Sequence, residues 1–399
     1  MKVYADNAAT TPLCKAALET LNDISSRVYG NPSSIHWAGQ EASTVLDEAR
    51  ATIAGLLGAK AKEIYFTSGG TEADNWAIIA AAEAYQGKGK HIITSSIEHH
   101  AVLHTCEYLQ KQRGYEVTYV DVDADGILNL DELKAAIRPD TILISVMFAN
   151  NEIGTVQPIK EIGQIAKEHG ILFHTDAVQA YCQLPIDVDK LNIDMMSASA
   201  HKLRGPKGIG FLYIRKGVKI KSFIHGGAQE RKRRAGTENV PGIVGFGKAV
   251  EVAMATMYER ARDEKELRDH LITRVTTEIE HVRLNGSWEQ RLPGNANFSF
   301  RFVESESLLL DLIGKGVYAS SGSACTTKSL DPSHVLLACG ISHERANGSL
   351  RMTLNEQNTK EEIDYTVDCL KDIVKRIRSM SPLYEDYIKK QAKGAQANV

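Results

Sequence analysis

The amino-acid sequence predicts an α/β protein in two parts: a large domain built on a mostly parallel sheet flanked by helices, and a smaller α+β domain. Three observations carry that expectation. Between residues 60 and 215, short runs of β-branched and aromatic residues alternate with longer amphipathic patterns, the texture of strands joined by crossover helices. Past Pro241 one helical pattern runs from Val244 to about Val282, passing from alanine-rich to charge-rich, as a helix carrying the chain between two domains would. The 399 residues, 43% of them apolar, also exceed the size at which a single core keeps growing.

In chain order, strands are expected at 63–67, 91–95, 116–122, 141–149, 171–175, 193–198 and 209–214, with amphipathic helices at 71–86 and 159–169. Sheets of this kind bind ligands at the carboxyl ends of their strands, which is where the polar residues crowd here. The large domain is assigned to 15–258, and the small domain to 1–14 together with 259–399. From Pro382 the periodicity falls away, so the tail is expected to fray or to dock a partner.

Charge is balanced, with 47 Lys and Arg against 50 Asp and Glu, and no long run of one sign. Nucleic acid and membrane surfaces are therefore not expected partners. The N-terminus is polar by its sixth residue, and the longest nearly apolar stretch, 142–149, is far short of the ~18 residues of a membrane span. A soluble, cytoplasmic protein is the expectation. Six cysteines without a C-x-x-C pair read as reduced thiols.

Phe66-Thr67-Ser68-Gly69-Gly70-Thr71-Glu72 places two glycines and a hydroxyl between a strand and a helix start. Free N–H groups and the positive end of a helix dipole suit a phosphate there, although an ordinary cap at Thr71 explains the same residues. No G-K-[ST] follows, which disfavours nucleotide hydrolysis. Lys202 ends a strand among small residues beside His201, a setting in which desolvation frees the amine to form a Schiff base. Asp176 also ends a strand, where a carboxylate can pair with a pyridinium nitrogen. Phosphate cradle, aspartate and lysine together specify pyridoxal phosphate better than any one alone.

His100 and His104 are four apart, yet no third ligand is spaced for zinc, so no metal site is expected. His99, at a strand-to-helix junction, reads as a planar group lying on a cofactor ring. Cys325 stands in the small-residue stretch Ser321-Gly322-Ser323-Ala324-Cys325, which predicts an exposed, mobile loop at about 318–332. The other five cysteines fall in apolar or helical patterns and read as packing residues.

Ordered segments link these residues: Asp6-Asn7-Ala8-Ala9-Thr10-Thr11, Gly30-Asn31-Pro32-Ser33-Ser34, the 67–72 turn, Asn150-Asn151-Glu152-Ile153-Gly154, Asp176-Ala177-Val178-Gln179, Ser199-Ala200-His201-Lys202, His225-Gly226-Gly227, Arg234-Ala235-Gly236-Thr237-Glu238-Asn239 and the Cys325 loop. With them the chain resembles, from Tyr4 to about Asp364, the cysteine desulfurases of the NifS and IscS kind in the class V aminotransferase group. The resemblance implies pyridoxal 5′-phosphate on fold type I of the aspartate-aminotransferase kind. It implies a Schiff base on Lys202, Asp176 on the ring nitrogen, Gln179 on the ring hydroxyl and His99 stacked on the ring. Asn151 is implied beside the ring hydroxyl and the substrate carboxylate, with Arg351 gripping that carboxylate. Gly70, Thr71, Ser199 and His201 are implied phosphate ligands, with Thr237 reaching over from the second subunit of a homodimer.

The implied activity converts L-cysteine to L-alanine and leaves the sulfur on Cys325 as a persulfide. An acceptor protein then takes it, for iron–sulfur cluster assembly or for tRNA or cofactor thiolation. A selenocysteine lyase, an aminotransferase of the same fold, and a non-catalytic sulfur-transfer scaffold are the alternatives. Where the family usually reads Arg-x-Ser-Leu-Gly-Arg, this chain has Arg351-Met352-Thr353-Leu354-Asn355-Glu356, a departure that bears on the following turn and on any partner contact there. Gly70 replaces the usual alanine, and Ala228 the usual glycine.

Overall fold

A computed structural model describes residues 1–321 and 332–397. Twelve strands are present among them: β1 Val3–Tyr4, β2 Ile64–Thr67, β3 His91–Ser95, β4 Glu116–Val120, β5 Thr141–Ser145, β6 Leu172–Asp176, β7 Met195–Ser199, β8 Gly210–Ile214, β9 Val282–Leu284, β10 Asn295–Phe300, β11 Val317–Tyr318 and β12 Ser349–Thr353. Seven form the central sheet in the order β2-β8-β7-β6-β5-β3-β4. Only β8 runs against its neighbours; β4, β3, β5, β6 and β7 are mutually parallel, so their carboxyl ends share one edge. Every residue of β2, β3, β5, β7 and β8 is buried, as a sheet covered on both faces requires.

The strand expected at 141–149 leaves the ladder at Ser145. Its apolar run continues because Val146 and Met147 stay buried, while Val146 N–H still donates to His174 O and Phe148 N–H to Asp176 O. The segment then turns at Asn150, whose Oδ1 accepts from the N–H groups of Glu152 and Ile153. Hydropathy tracks burial here rather than strand pairing.

The long helix spans Val240–Glu278 and starts earlier than its apolar pattern. Asn239 Oδ1 accepts from Gly242 N–H, and Pro241 fits the first turn, where no N–H is needed. Ile243, Phe246 and Val250 belong to the core beneath the large sheet, whereas Leu271, Ile272 and Val275 belong to a second core with β10 and β12. By length and composition this helix could cross a membrane, but its apolar half packs on the helices Lys15–Arg27 and Trp37–Leu56. The N-terminus is divided: Val3 and Ala5 lie in the second core and Cys14 in the first.

The tail differs from the expectation of a lost period, because Pro382–Ala397 is helical. Tyr384 and Tyr387, three apart, share a helical face against Phe302, with ring centroids 5.4 and 5.1 Å away. Arg301 lies 4.5 Å over the Phe302 ring, so the face docks on an aromatic and cationic platform that local periodicity does not reveal.

Candidate active site

A cavity of about 260 Å³ opens at the carboxyl edge of the central sheet, against the segment around Ala8 and against β12 of the three-stranded sheet β12-β10-β9. Gly70, Thr71, His99, Asn151, Asp176, Gln179, Ser199, His201, Lys202 and Arg351 all line it. Thr237 is exposed and outside that lining, and Cys325 lies outside the described residues. Cys14, Cys106, Cys182, Cys339 and Cys369 are buried free thiols, in line with a packing role.

Lys202 ends the short turn Ala200–Lys202 that follows β7, and Asp176 ends the neighbouring β6, paired in register with Ser197. The Lys202 ammonium donates to Ala8 O at 2.5 Å and Ala9 O at 2.8 Å, so the N-terminal segment holds the lysine at the cavity wall. Gln179 Nε2 also donates to Ala8 O, at 3.0 Å. Asp176 accepts from Val178 N–H at 2.9 Å. Burial pushes its carboxyl up to about 6, while the Val178 bond and the Lys202 charge pull the other way.

His99 caps the helix His100–Arg113, its Nδ1 accepting from Ala101 N–H at 3.1 Å. That bond leaves Nε2 as the protonated ring nitrogen of the neutral imidazole. Burial, then the Lys202 charge, pushes His99 down to about 4, and the same two causes bring His201 to about 4. Both rings are neutral near pH 7. His201 Nδ1 lies 3.1 Å from Thr10 Oγ1.

Arg351 reaches in from β12, 3% exposed, with Nη2 on Asp6 Oδ1 at 2.9 Å and Nη1 on Asn151 O at 3.1 Å. Its buried Nε has no hydrogen-bond partner among the described residues, a donor suited to an anion. The departure after Arg351 tightens this corner. Asn355 Nδ2 donates to Asn7 Oδ1 at 2.8 Å, and Glu356 pairs with Arg204, two residues beyond Lys202.

Three buried acidic residues at the site, Asp74, Glu98 and Glu152, have no assigned part in the sequence reading. Asp74 stands four residues after Gly70 on one helix and so shares its face, a period-based signal that could have found it. Glu98 accepts from Ser95 Oγ at 2.5 Å and Met147 N–H at 2.9 Å, and burial pushes it up to about 8. Glu152 accepts from Ser333 Oγ at 2.5 Å and is pushed up to about 7 by burial.

An aspartate ending one strand, a lysine three residues past the end of its neighbour, a helix start beside them and an arginine from a second sheet define a cofactor-dependent α/β enzyme. The chain belongs to the Aminotransferase class-V family, which matches residues 3–366. It is 59% identical to a cysteine desulfurase IscS of Methanosarcina thermophila over 381 residues, covering 96% of this chain and 94% of that protein. Among solved structures it is similar to a NifS-like protein, at TM-score 0.88 and 40% identity, over 94% of this chain and 100% of that one. It is also similar to SspA in complex with cysteine, at TM-score 0.76 and 40% identity, over 88% of this chain and 99% of that one.

The family works with pyridoxal 5′-phosphate, and the residues present fit that group. A Cβ on Gly70 would come within 2.5 Å of Val178 Cγ2, so the helix start is drawn close against the strand-end loop. A second hollow at that helix start is lined by Thr10, Ser199, His201 and Lys207, a cationic and hydroxyl-rich set suited to phosphate.

Proposed function

We propose that this chain is a cysteine desulfurase: it takes L-cysteine, releases L-alanine and passes on the sulfur as a persulfide. The observation that carries the reading is the convergence of Lys202, Asp176 and Arg351 on one cavity from three separate elements. The full-length similarity to cysteine desulfurases supports it. When bound, pyridoxal phosphate supplies an electron sink for the pair left at the substrate Cα.

Lys202 would hold the cofactor and, as an amine, take the proton from the substrate Cα. Asp176 would pair with the ring nitrogen, Gln179 would bond the ring hydroxyl and His99 would stack on the ring. Gly70, Thr71, Ser199 and His201 would hold the phosphate, and Arg351 with Asn151 would orient the substrate carboxylate. Ala8 O and Ala9 O accept from the Lys202 ammonium and so hold its nitrogen at the cavity wall, beside Asp176 and Arg351.

Cys325 attacks the substrate sulfur as a thiolate. A sulfur–sulfur bond forms, the carbon–sulfur bond breaks, and its electron pair leaves on the three-carbon product. The exposed Thr237 supports a homodimer in which it serves the partner's phosphate site. Tyr29, Ile35 and Trp37, 73%, 93% and 67% exposed, support a partner covering the apolar patch that they form. We place the enzyme in the cytoplasm, where its thiols stay reduced and a sulfur acceptor for cluster assembly or thiolation can meet it. The test is incubation with L-cysteine and assay of alanine; no alanine from cofactor-loaded protein contradicts the reading.

A further inference from the structure

Beside Asp176 lies a set of buried polar groups that the reaction above leaves unused. Asp74, 1% exposed, projects from the helix Gly70–Tyr85 and lines the same cavity as Asp176. Its Oδ1 has no hydrogen-bond partner among the described residues and sits 3.7 Å from His174 Nε2. His174, fully buried two residues before Asp176, is held at both ring nitrogens: Nδ1 lies 2.9 Å from Ser145 Oγ in β5, and Nε2 lies 3.0 Å from Ser197 Oγ in β7. A carboxyl from the helix and one from the strand thus share a dry space. The Lys202 charge counters that of Asp176.

Two ionised carboxylates cannot share such a space cheaply, so one keeps its proton. We propose that Asp74 is the one: held as a neutral acid beside the neutral His174, it leaves Asp176 as the single charged carboxylate facing the ring nitrogen. Asp74 is then a positioning residue that sets the charge of the electron sink without touching the reacting atoms.

The surroundings decide which carboxyl ionises. Asp176 has the Val178 N–H bond and the Lys202 charge to stabilise its anion. Asp74 has burial against it first, then repulsion from Asp176 and from Glu98, with only the Ser197 hydroxyl in its favour, and is pushed well up. His174 supplies no compensating charge, because burial pushes it down to about 3. Glu98, also raised, is itself mostly protonated near pH 7.

The inference rests on the proposed function only in putting a ring nitrogen at Asp176; the charge on Asp74 is a property of the protein. It is tested on the full-length protein, with and without pyridoxal phosphate, by infrared spectroscopy at pH 7 after labelling aspartate carboxyls with carbon-13. A label-shifted protonated-carboxyl band is expected in both states, lost in Asp74→Asn and kept in Asp176→Asn. Ser197→Ala keeps both carboxyls and serves if Asp74→Asn does not fold. Removing the hydroxyl that favours the Asp74 anion should then move the band's disappearance to higher pH. A band absent from the wild type, surviving Asp74→Asn, or unmoved by Ser197→Ala overturns the assignment. Failure of the protein to release alanine leaves the band untouched, so the two readings fail separately.

Discussion

Lys202 carries two duties in the proposed reaction, covalent anchor and proton-transfer base, and both end with one side chain. Lys202→Ala is expected to abolish alanine formation while circular dichroism and the unfolding midpoint stay near wild type. Turnover at the wild-type rate would remove Lys202 from the mechanism. Asp176→Asn tests the electron sink more finely, because the amide keeps the shape and the Val178 bond but not the charge. Losing a buried ion pair costs about 3–5 kcal/mol, so the single-turnover rate should fall by roughly two to four powers of ten. A fall of less than threefold contradicts the role. Both residues were legible in the sequence because they stand at the carboxyl ends of strands, where a parallel sheet gathers its ligands, although Lys202 sits in the turn after β7 rather than on the strand as expected. Asp74 and Glu98 were not: a carboxyl in a helical or loop pattern reads as solvated until tertiary packing shows it dry.

At the scale of elements, the loop that leads to Thr237 is pinned by a buried ion pair. Arg50 from the helix Trp37–Leu56 meets Glu230 through two bonds, at 2.8 and 2.7 Å, and Glu230 also accepts from Phe66 N–H in β2 at 2.9 Å. Glu230 adopts φ 43°, a left-handed conformation that these bonds hold in place. Glu230→Ala leaves the buried Arg50 with the Ile64 carbonyl and, at 3.9 Å, the exposed Asp47 carboxylate, and should cost about 3–5 kcal/mol in denaturant unfolding. A loss below about 1 kcal/mol would mean that water reaches the guanidinium. Alternation of pattern revealed the strands within a few residues, since both faces of the sheet are covered. The 141–149 run misled because burial outlasts pairing. The Pro382–Ala397 helix was missed because its docking face depends on Phe302 and Arg301, some eighty residues upstream.

Across the whole molecule, the buried titratable groups make stability depend on pH in two opposing ways. His99, His174 and His201 stay neutral in the fold down to about 4, 3 and 4, whereas in the unfolded chain they protonate near 6.5. The unfolded state therefore binds more protons between about pH 4 and 6.5, and these groups make stability rise with pH there. Glu98, Glu152 and Glu264 keep their protons in the fold up to about 8, 7 and 7, well above the unfolded value, so they make stability fall as pH rises through that window. Between about pH 6.5 and 8, of these two sets only the carboxyls still act. The unfolding free energy of the cofactor-free protein should fall from pH 6.5 to 8, and Glu152→Gln should flatten that decline. A rise over the same range would contradict the buried, protonated state of these carboxyls.

Arg351 of the three-stranded sheet β12-β10-β9 and Asp6, which bridges to Thr353 of β12, stand against Lys202 and Asp176 at the edge of the seven-stranded sheet. Cys325 completes the account from a segment outside the described residues, and it separates a desulfurase from a lyase or an aminotransferase on the same fold. The most direct measurement is a single turnover with sulfur-35-labelled L-cysteine, followed by peptide mapping of the labelled persulfide by mass spectrometry. The account predicts one equivalent of labelled sulfur on Cys325 with stoichiometric alanine, and neither from Cys325→Ala. Label on another cysteine, or full alanine production by Cys325→Ala, would contradict it.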